Sequence, residues 1–350
     1  MTTVNTLGGW ADSSNSGLMF RNKLINGGFD IWQRGTSVTH SNNFEASTSF
    51  GPDRWRFSSV HDAVAYRSTT LSLESTNVPS LSQSAAKLTL NNSDCNRINL
   101  AQRLESSQST IFASKSGVLS FAIRRIGTWN AATRLCANFS SANALDNFSS
   151  TTNRQTTSDI LVSGLSSSDY TIITIPFNPN VNFKNGMQID INLRTDNNDT
   201  PVQTTGDCFY ISQVQLEAGS QATPFEQRPI GLELSLCQRY FEIIQKAGLD
   251  VGWPVMLGSS TLAEWQVSFK VEKRAAPTFW SSGAGNFGRI IGYTTAFALS
   301  SNSVTSASLG SGSSTSNANI GLTGTFSGNN VFNTFDTLGA TRDIGVEAEL

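Results

Sequence analysis

Apolar and polar residues alternate in short runs along most of this chain. Ala86-Lys87-Leu88-Thr89-Leu90, Gly117-Val118-Leu119-Ser120-Phe121-Ala122-Ile123 and Tyr170-Thr171-Ile172-Ile173-Thr174-Ile175 carry this period, as do Met187-Gln188-Ile189-Asp190-Ile191-Asn192-Leu193 and Phe209 to Glu217. A period of two is that of half-buried strands. Phe29-Asp30-Ile31-Trp32 and Asp53-Arg54-Trp55-Arg56-Phe57 read the same way. The spacers are rich in Ser, Asn, Thr and Gly, and helical periodicity is nearly absent before residue 229. Residues 22–218 are therefore expected to form one β-sandwich. Residues 1–21 lack periodic signal. Trp10, Leu18, Met19 and Phe20 sit among Gly, Ser and Asn, which reads as an extended arm with apolar anchors.

The period changes after Glu217. Ala218-Gly219-Ser220-Gln221-Ala222-Thr223-Pro224 has loop chemistry. Pro229 then opens a stretch over 229–246 with Leu232, Leu236 and Tyr240 at steps of four, and Leu234, Cys237, Phe241 and Ile244 on a neighbouring stripe. That predicts a linking helix with Pro in its first turn. Its apolar surface is broad enough to need partners on more than one side. It could sit between two β regions of one chain, or meet its copies around a threefold axis through Leu232, Leu236, Cys237, Tyr240, Phe241 and Ile244. Residues 249–350 return to period two. In Glu264 to Glu272, Trp265, Val267, Phe269 and Val271 share one face. Residues 300–319 are low in complexity and predict a loop or a strand of weakly set register. Phe287, Phe297, Phe326, Phe332 and Phe335 are candidates for a core larger than one small sheet encloses. The expected organisation is an arm (1–21), a sandwich (22–218), a loop and linking helix (219–248) and a C-terminal β domain (249–350).

Several short landmarks occur in order. They are NKLINGGFDIWQRG from Asn22, Asp53-Arg54-Trp55, VQLEAGSQATPFEQRP from Val214, ELSLCQRYFE from Glu233, Arg274-Ala275-Ala276-Pro277-Thr278, and Ala348-Glu349-Leu350. Together they resemble a family of bacteriophage tail-fibre and related virion proteins. In that family a carbohydrate-binding-module-like jelly roll ends in a "QLE-G-x-ATPFE-RP" strand and loop, and continues into "CQRY-[FY]". The resemblance runs from about residue 22 to the C-terminus. It implies a jelly-roll topology, a non-enzymatic virion component and a homotrimer, the trimer favouring the threefold reading of the helix. It also implies contact of the N-terminal arm with other virion proteins. Recognition of host cell-surface polysaccharide by a tail fibre or receptor-binding protein is the expected role. A purely structural role, as a capsid decoration, head fibre or tail adaptor, is the alternative.

Composition narrows the chemistry. Charged residues make up 14% of the 350, against roughly 25% in an average soluble protein. The formal net charge of −2 and the lack of a Lys/Arg cluster predict no nucleic-acid partner. No apolar run has the length of a membrane span, so no membrane insertion is expected, and residues 1–20 lack the pattern of a signal peptide. Cys95, Cys136, Cys208 and Cys237 are far apart without zinc spacing and read as buried thiols. His40 and His61 lie near no nucleophile, and Gly283 to Gly288 matches GxGxxG without the strand and helix a dinucleotide site needs. Asp53, Asp159, Asp190 and Asp207 are scattered, with no context marking a catalytic pair. No catalytic residue, cofactor or metal is expected.

Sugar binding has a better physical case, since aromatic faces stack on pyranose rings and amides orient hydroxyls. Trp129 beside Asn130, and Trp253 and Trp280 beside Pro254 and Ser281-Ser282-Gly283, are the candidates. Trp32 and Trp55 lie in alternating runs and read as core. The resemblance also raises a structural calcium between first and last strands, toward which Asn26 and Asp30 would point. Gln213 stands where such modules often carry an acid, which counts against it.

Overall fold

The computed structural model describes residues 20–40, 49–61, 68–92, 95–129, 133–157, 160–194, 205–246, 253–254, 256–257, 262–282, 289–294, 299–310, 313–324, 330–336 and 343–350. Most of the N-terminal arm, the GxGxxG stretch, Asp159, Phe287, Phe297 and Phe326 lie outside the described residues. The chain is mostly antiparallel β-structure and divides into two compact units. One runs to Glu233 and includes Leu350; the other is Leu234–Glu349.

Among its described residues the first unit has thirteen strands: β1 (Ser37–His40), β2 (Ser49–Phe50), β3 (Arg56–His61), β4 (Thr69–Glu74), β5 (Ala85–Leu90), β6 (Cys95–Leu104), β7 (Gly117–Ile126), β8 (Arg134–Ala144), β9 (Asn147–Thr156), β10 (Ile160–Leu161), β11 (Thr171–Phe177), β12 (Met187–Arg194) and β13 (Cys208–Ala218). They form two sheets, ordered β1-β4-β5-β13-β7-β11 and β10-β8-β12-β6-β3-β2, with β9 paired to β8. This is the jelly-roll sandwich. Its core follows from the alternation: Met187, Ile189, Ile191 and Leu193 of β12 meet Leu119, Phe121 and Ile123 of β7 and Phe209 and Ile211 of β13 in one cluster. Trp55 is fully buried and Trp32 packs on the rim. The Phe139 and Phe177 rings stack at 4.2 Å. Each such side chain contributes about 1.5–3 kcal/mol of burial.

Phe29 to Trp32 is not a strand. Asn26 and Phe29 take left-handed backbone conformations, φ 58° and 59°, so the segment turns instead of extending. It is tied down at a bulge in β13, where the register shifts between Ser212 and Gln215. Val214 N–H donates to the Gly27 carbonyl at 2.9 Å, and Asn22 Nδ2 donates to the Val214 carbonyl at 3.0 Å. A Cβ on Gly27 would stand 2.1 Å from the Val214 oxygen, so only glycine permits this approach.

The VQLEAGSQATPFEQRP segment forms a clasp on the same end of the sandwich. Glu217 receives Thr223 through both its N–H and its hydroxyl, at 2.7 and 2.8 Å. Gln215 Oε1 receives Glu226 N–H at 2.8 Å, and Glu226 Oε2 receives Asn22 N–H at 2.8 Å. Arg228 donates to the Leu24 carbonyl at 3.0 Å and pairs with Glu233 at 3.2 Å. Residues 20–26 are thereby fastened to the end of the last strand.

In the second unit, β14 (Phe241–Gln245), β15 (Trp253–Pro254), β16 (Met256–Leu257), β17 (Leu262–Ser268), β18 (Thr278–Ser281), β19 (Arg289–Thr294), β20 (Leu299–Leu309), β21 (Asn317–Gly324), β22 (Asn330–Asp336) and β23 (Ile344–Glu347) form two sheets. Their orders are β14-β23-β18 and β15-β22-β19-β20-β21-β17-β16. Trp265 lies in a small core with Ala263, Val304, Ala318, Ile320, Leu322 and Ile344. The low-complexity stretch supplies most of β20 and the start of β21, with a register shift between Val304 and Ser306. Phe332 and Phe335 lie in β22, and their side chains are outside the description.

The linking helix is shorter than its periodicity predicts. It covers Ile230–Gln238, and the chain then turns at Tyr240 into β14. The reason is tertiary: Phe241-Glu242-Ile243-Ile244-Gln245 also satisfies a strand pattern, and β14 pairs with β23, with Ala348 N–H donating to the Tyr240 carbonyl at 2.7 Å. Leu232, Leu236, Cys237, Tyr240, Phe241 and Ile244 therefore do not share one helical face. Cys237, Tyr240 and Phe241 are fully buried within their own chain, Ile244 packs on the second core, and Leu232 and Leu236 are half-buried. The single helical stripe expected over 229–246 is corrected accordingly.

Candidate functional site

The most distinctive surface of the first unit is the outer face of the second sheet. Strand alternation sends Met187, Ile189 and Ile191 of β12 inward and Gln188, Asp190 and Asn192 outward. Register then assembles rows across the sheet. Arg56 of β3, Ala101 of β6, Asp190 of β12 and Asn138 of β8 lie side by side, as do Ser58, Asn99 and Asn192. Arg103 and Gln188 are directly opposed. Together with Thr151 of β9 and Arg97 of β6 these residues line a groove of about 320 Å³.

The groove floor is polar yet buried. Asp190 is 6% exposed and Asn192 2%. Asp190 Oδ1 accepts from Asn99 Nδ2 at 3.0 Å and from Gln188 Nε2 at 2.9 Å. Gln188 Oε1 in turn accepts from Arg103 Nε at 2.8 Å and, at 3.5 Å, from Arg56 Nη1. Burial pushes the Asp190 carboxyl above its ordinary range, outweighing the Asn99 and Gln188 hydrogen bonds and the nearby Arg56 and Arg103 charges. Arg103 also donates to the Phe148 carbonyl at 3.4 Å and to the Leu350 carbonyl at 2.6 Å, and its guanidinium lies 5.0 Å from the Phe148 ring centroid. Two floor atoms, Asn138 Oδ1 and Asn192 Nδ2, are buried without a hydrogen-bond partner. Each such atom costs about 1–3 kcal/mol. One is an acceptor and the other a donor, on neighbouring strands, which is what a ligand hydroxyl satisfies.

A second depression, of about 480 Å³, lies on the outer face of the other sheet. Ser120 of β7, Ile172 and Thr174 of β11, Gln213 of β13 and Pro224 and Phe225 of the clasp line it, and it is the more apolar of the two.

Neither Trp129 nor Trp280 lines either depression. Trp129 is a core residue: its ring centroid is 4.0 Å from that of Phe209 and its Nε1 donates to the Ile126 carbonyl at 3.0 Å. Its loop-like neighbours hid an inward-turned ring. Asn130 lies outside the described residues. Trp253 is in β15 opposite Phe335, and its side chain is outside the description. Trp280 is in β18, half-buried, with its ring edge-on to Phe241 at 4.9 Å. Trp129 belongs to the first unit and Trp253 and Trp280 to the second.

Of the residues considered for calcium, Asn26 and Gln213 are engaged elsewhere, while Asp30 Oδ1 is buried without a hydrogen-bond partner. Asn26 Nδ2 donates to the Ile31 and Asp53 carbonyls at 2.8 and 3.0 Å, and Gln213 Nε2 donates to the Ser80 carbonyl at 3.0 Å. Burial raises the Asp30 carboxyl above its ordinary range, partly offset by a hydrogen bond from Ser84. Among the described residues no group of three His, Cys, Asp or Glu could hold a metal. His40 is buried with Nδ1 3.2 Å from Ser59 Oγ, and all four cysteines are buried.

The groove-lining polar residues were overlooked in sequence because Arg97, Asn99, Ala101 and Arg103 alternate like any solvent-facing strand edge. The available signal was their type. Planar amides and guanidiniums take the positions where Ser, Thr, Lys or Glu would serve solubility equally well.

No protein-family model matches this chain, and no curated protein does. Solved structures match the sandwich. One is a TmCBM61 structure in complex with beta-1,4-galactotriose, 15% identical, covering 57% of this chain and 99% of that one, TM-score 0.32. Another is the CBM22-1 xylan-binding domain from Paenibacillus barcinonensis Xyn10C, 10% identical over 53% of this chain and 95% of that one, TM-score 0.32. A family 11 carbohydrate-binding module from Clostridium thermocellum in complex with a mixed-linked tetrasaccharide is 11% identical over 53% and 97%, TM-score 0.31. The likeness is one of fold.

Proposed function

We propose that this chain is a non-enzymatic glycan-binding protein of a bacteriophage particle, a tail-fibre or receptor-binding protein that holds host surface polysaccharide in the groove over β3, β6, β12 and β8. The observation that carries the proposal is the unsatisfied floor, with Asn138 Oδ1 and Asn192 Nδ2 buried and unpartnered inside a groove of about 320 Å³. That volume is at the lower end of ligand sites, about 300–1,000 Å³. Hydroxyl groups both donate and accept, so one sugar unit relieves both atoms. Catalysis is disfavoured by the same lining. Among the described residues Asp190 is its sole carboxylate, whereas glycoside hydrolysis uses two, about 5–9.5 Å apart.

The virion setting rests on the ordered landmarks from Asn22 to Leu350, above all VQLEAGSQATPFEQRP and CQRYF. The homotrimer rests on the same resemblance. Of the helix residues, Cys237, Tyr240 and Phe241 are buried in their own chain, and Leu232 and Leu236 are half-buried. Three weak grooves on one particle would gain strength by effective concentration. The test is binding of the purified full chain to a printed glycan array. Retention on a subset of glycans, abolished by the double substitution Asn138→Ala/Asn192→Ala in a protein with an unchanged circular dichroism spectrum, supports the proposal. Retention on no glycan, with particle images placing the protein on the capsid lattice, overturns it in favour of a decoration role.

A further inference from the structure

We infer that the groove takes an N-acetylated sugar, whose acetamido group lies between Asn138 and Asn192 with its methyl over Ala101. The inference rests on the glycan-binding reading above and names the ligand class for that site. Several of the amide groups on the floor are already spent. Asn99 Nδ2 and Gln188 Nε2 both donate to Asp190, at 3.0 and 2.9 Å, and Gln188 Oε1 accepts from Arg103 Nε at 2.8 Å. Among the described lining residues, the buried side-chain atoms left without a partner are one acceptor, Asn138 Oδ1, and one donor, Asn192 Nδ2.

Register sets the separation of these two. Asn138 of β8 is paired with Asp190 of β12, and Asn192 follows two residues along β12 on the same face. Diagonal neighbours of this kind stand about 7–8 Å apart at the backbone. One hydroxyl oxygen between two partners, each at about 2.9 Å, spans at most about 5.8 Å, short of that separation. An amide carries its N–H and its C=O on opposite edges and reaches both in one rigid group, donating to Asn138 Oδ1 and accepting from Asn192 Nδ2. Ala101 supplies the third contact. It lies in the row Arg56, Ala101, Asp190, Asn138 and is the one apolar side chain of the described lining. A methyl side chain among longer polar ones leaves a pit in the floor, which the acetamido methyl fills and a hydroxyl does not. No aromatic ring stands among the described lining residues to stack on a pyranose, so these three contacts select the ligand.

The test uses the full chain on an array of uncharged oligosaccharides in matched pairs, one member carrying acetamido groups where the other carries hydroxyls, followed by calorimetric titration with the strongest pair. The N-acetylated member is expected to bind about tenfold more tightly than its counterpart, the scale of one or two net hydrogen bonds. Ala101→Thr fills the pit with a side chain suited to a strand, and Asn192→Asp exchanges the donor for an acceptor of the same shape. Both are expected to lose the preference at an unchanged melting temperature, with Asn138→Ser standing in for a variant that melts early. Equal or stronger binding of the hydroxyl members overturns the acetamido assignment and leaves glycan binding standing. Binding to neither set overturns both. An N-acetyl preference that survives either substitution overturns the placement in this groove.

Discussion

The carboxylate of Glu217 holds Thr223 twice, through the backbone N–H at 2.7 Å and through the hydroxyl at 2.8 Å. The pair closes the loop after β13 so that Gln215 and Glu226 can reach the start of the chain. Thr223 Oγ1 also accepts from Arg21 Nη1 at 2.7 Å, which makes the hydroxyl a junction between the two ends of the sandwich. Thr223→Val removes the junction and keeps the shape. A loss of about 1–2 kcal/mol is expected, since hydrogen bonds to charged groups are worth about 1.5–3 kcal/mol and the backbone bond survives. Glu217→Ala removes both bonds and is expected to cost more. Urea denaturation followed by tryptophan fluorescence measures both, and indistinguishable midpoints for all three proteins would dismiss the clasp as a stabilising device.

Trp129 packs inward on Phe209 at a ring separation of 4.0 Å. Its substitution therefore acts on folding rather than recognition. Trp129→Ala is expected to destabilise by about 3–5 kcal/mol, the range for deleting a large buried aromatic. Glycan affinity measured on the remaining folded protein should be unchanged. A variant of wild-type stability with lost affinity would reverse this assignment.

Lys273 and Glu242 form a buried ion pair in the second unit, 2.6 Å apart, with side chains 0% and 3% exposed. Lys273 Nζ also donates to the Gln238 carbonyl at 2.6 Å and the Val271 carbonyl at 3.1 Å. Burial lowers the Lys273 ammonium below its ordinary range, and Glu242 opposes that shift. Removing one partner strands the other charge. Lys273→Met is expected to cost about 3–5 kcal/mol, and the double substitution Lys273→Met/Glu242→Leu far less than twice that. A double-mutant cycle by thermal melts reads the coupling, and strict additivity would show that the pair contributes none.

The sandwich was legible because its strands bury one face. Met187, Ile189, Ile191 and Leu193 mark β12 without any knowledge of its neighbours. The helix end was not legible, since Phe241 to Gln245 fits both a helical stripe and a strand, and pairing with β23 decides between them. The groove was illegible for a different reason. Arg56, Asp190 and Asn138 are far apart in sequence and become neighbours through cross-strand register alone. Trp129 misled because its polar neighbours describe the backbone's exposure and not the direction of the ring.

Asp190 gives the groove a dependence on pH with a definite sign. Its folded value is raised above the ordinary 3.8, chiefly by burial. Between 3.8 and that raised value the folded chain holds a proton that the unfolded chain has released. The derivative of unfolding free energy with pH is then negative, so this group's contribution to stability falls as pH rises through the window. Asp190→Asn lacks the titration, and its stability should be flat there relative to wild type. Half-buried Glu74 has the opposite slope. Desolvation pushes it up, but the Thr76 hydroxyl, with the Thr76 and Asn77 amides, outweighs this and holds the carboxyl at about 2, so its contribution is lost as pH falls below 4.5. Comparing wild type with Asp190→Asn leaves Glu74 common to both and isolates the groove. Urea denaturation of both proteins from about pH 7 to about pH 4 should show that slope in wild type and not in Asp190→Asn. Parallel curves for the two would remove Asp190 from the groove's electrostatics.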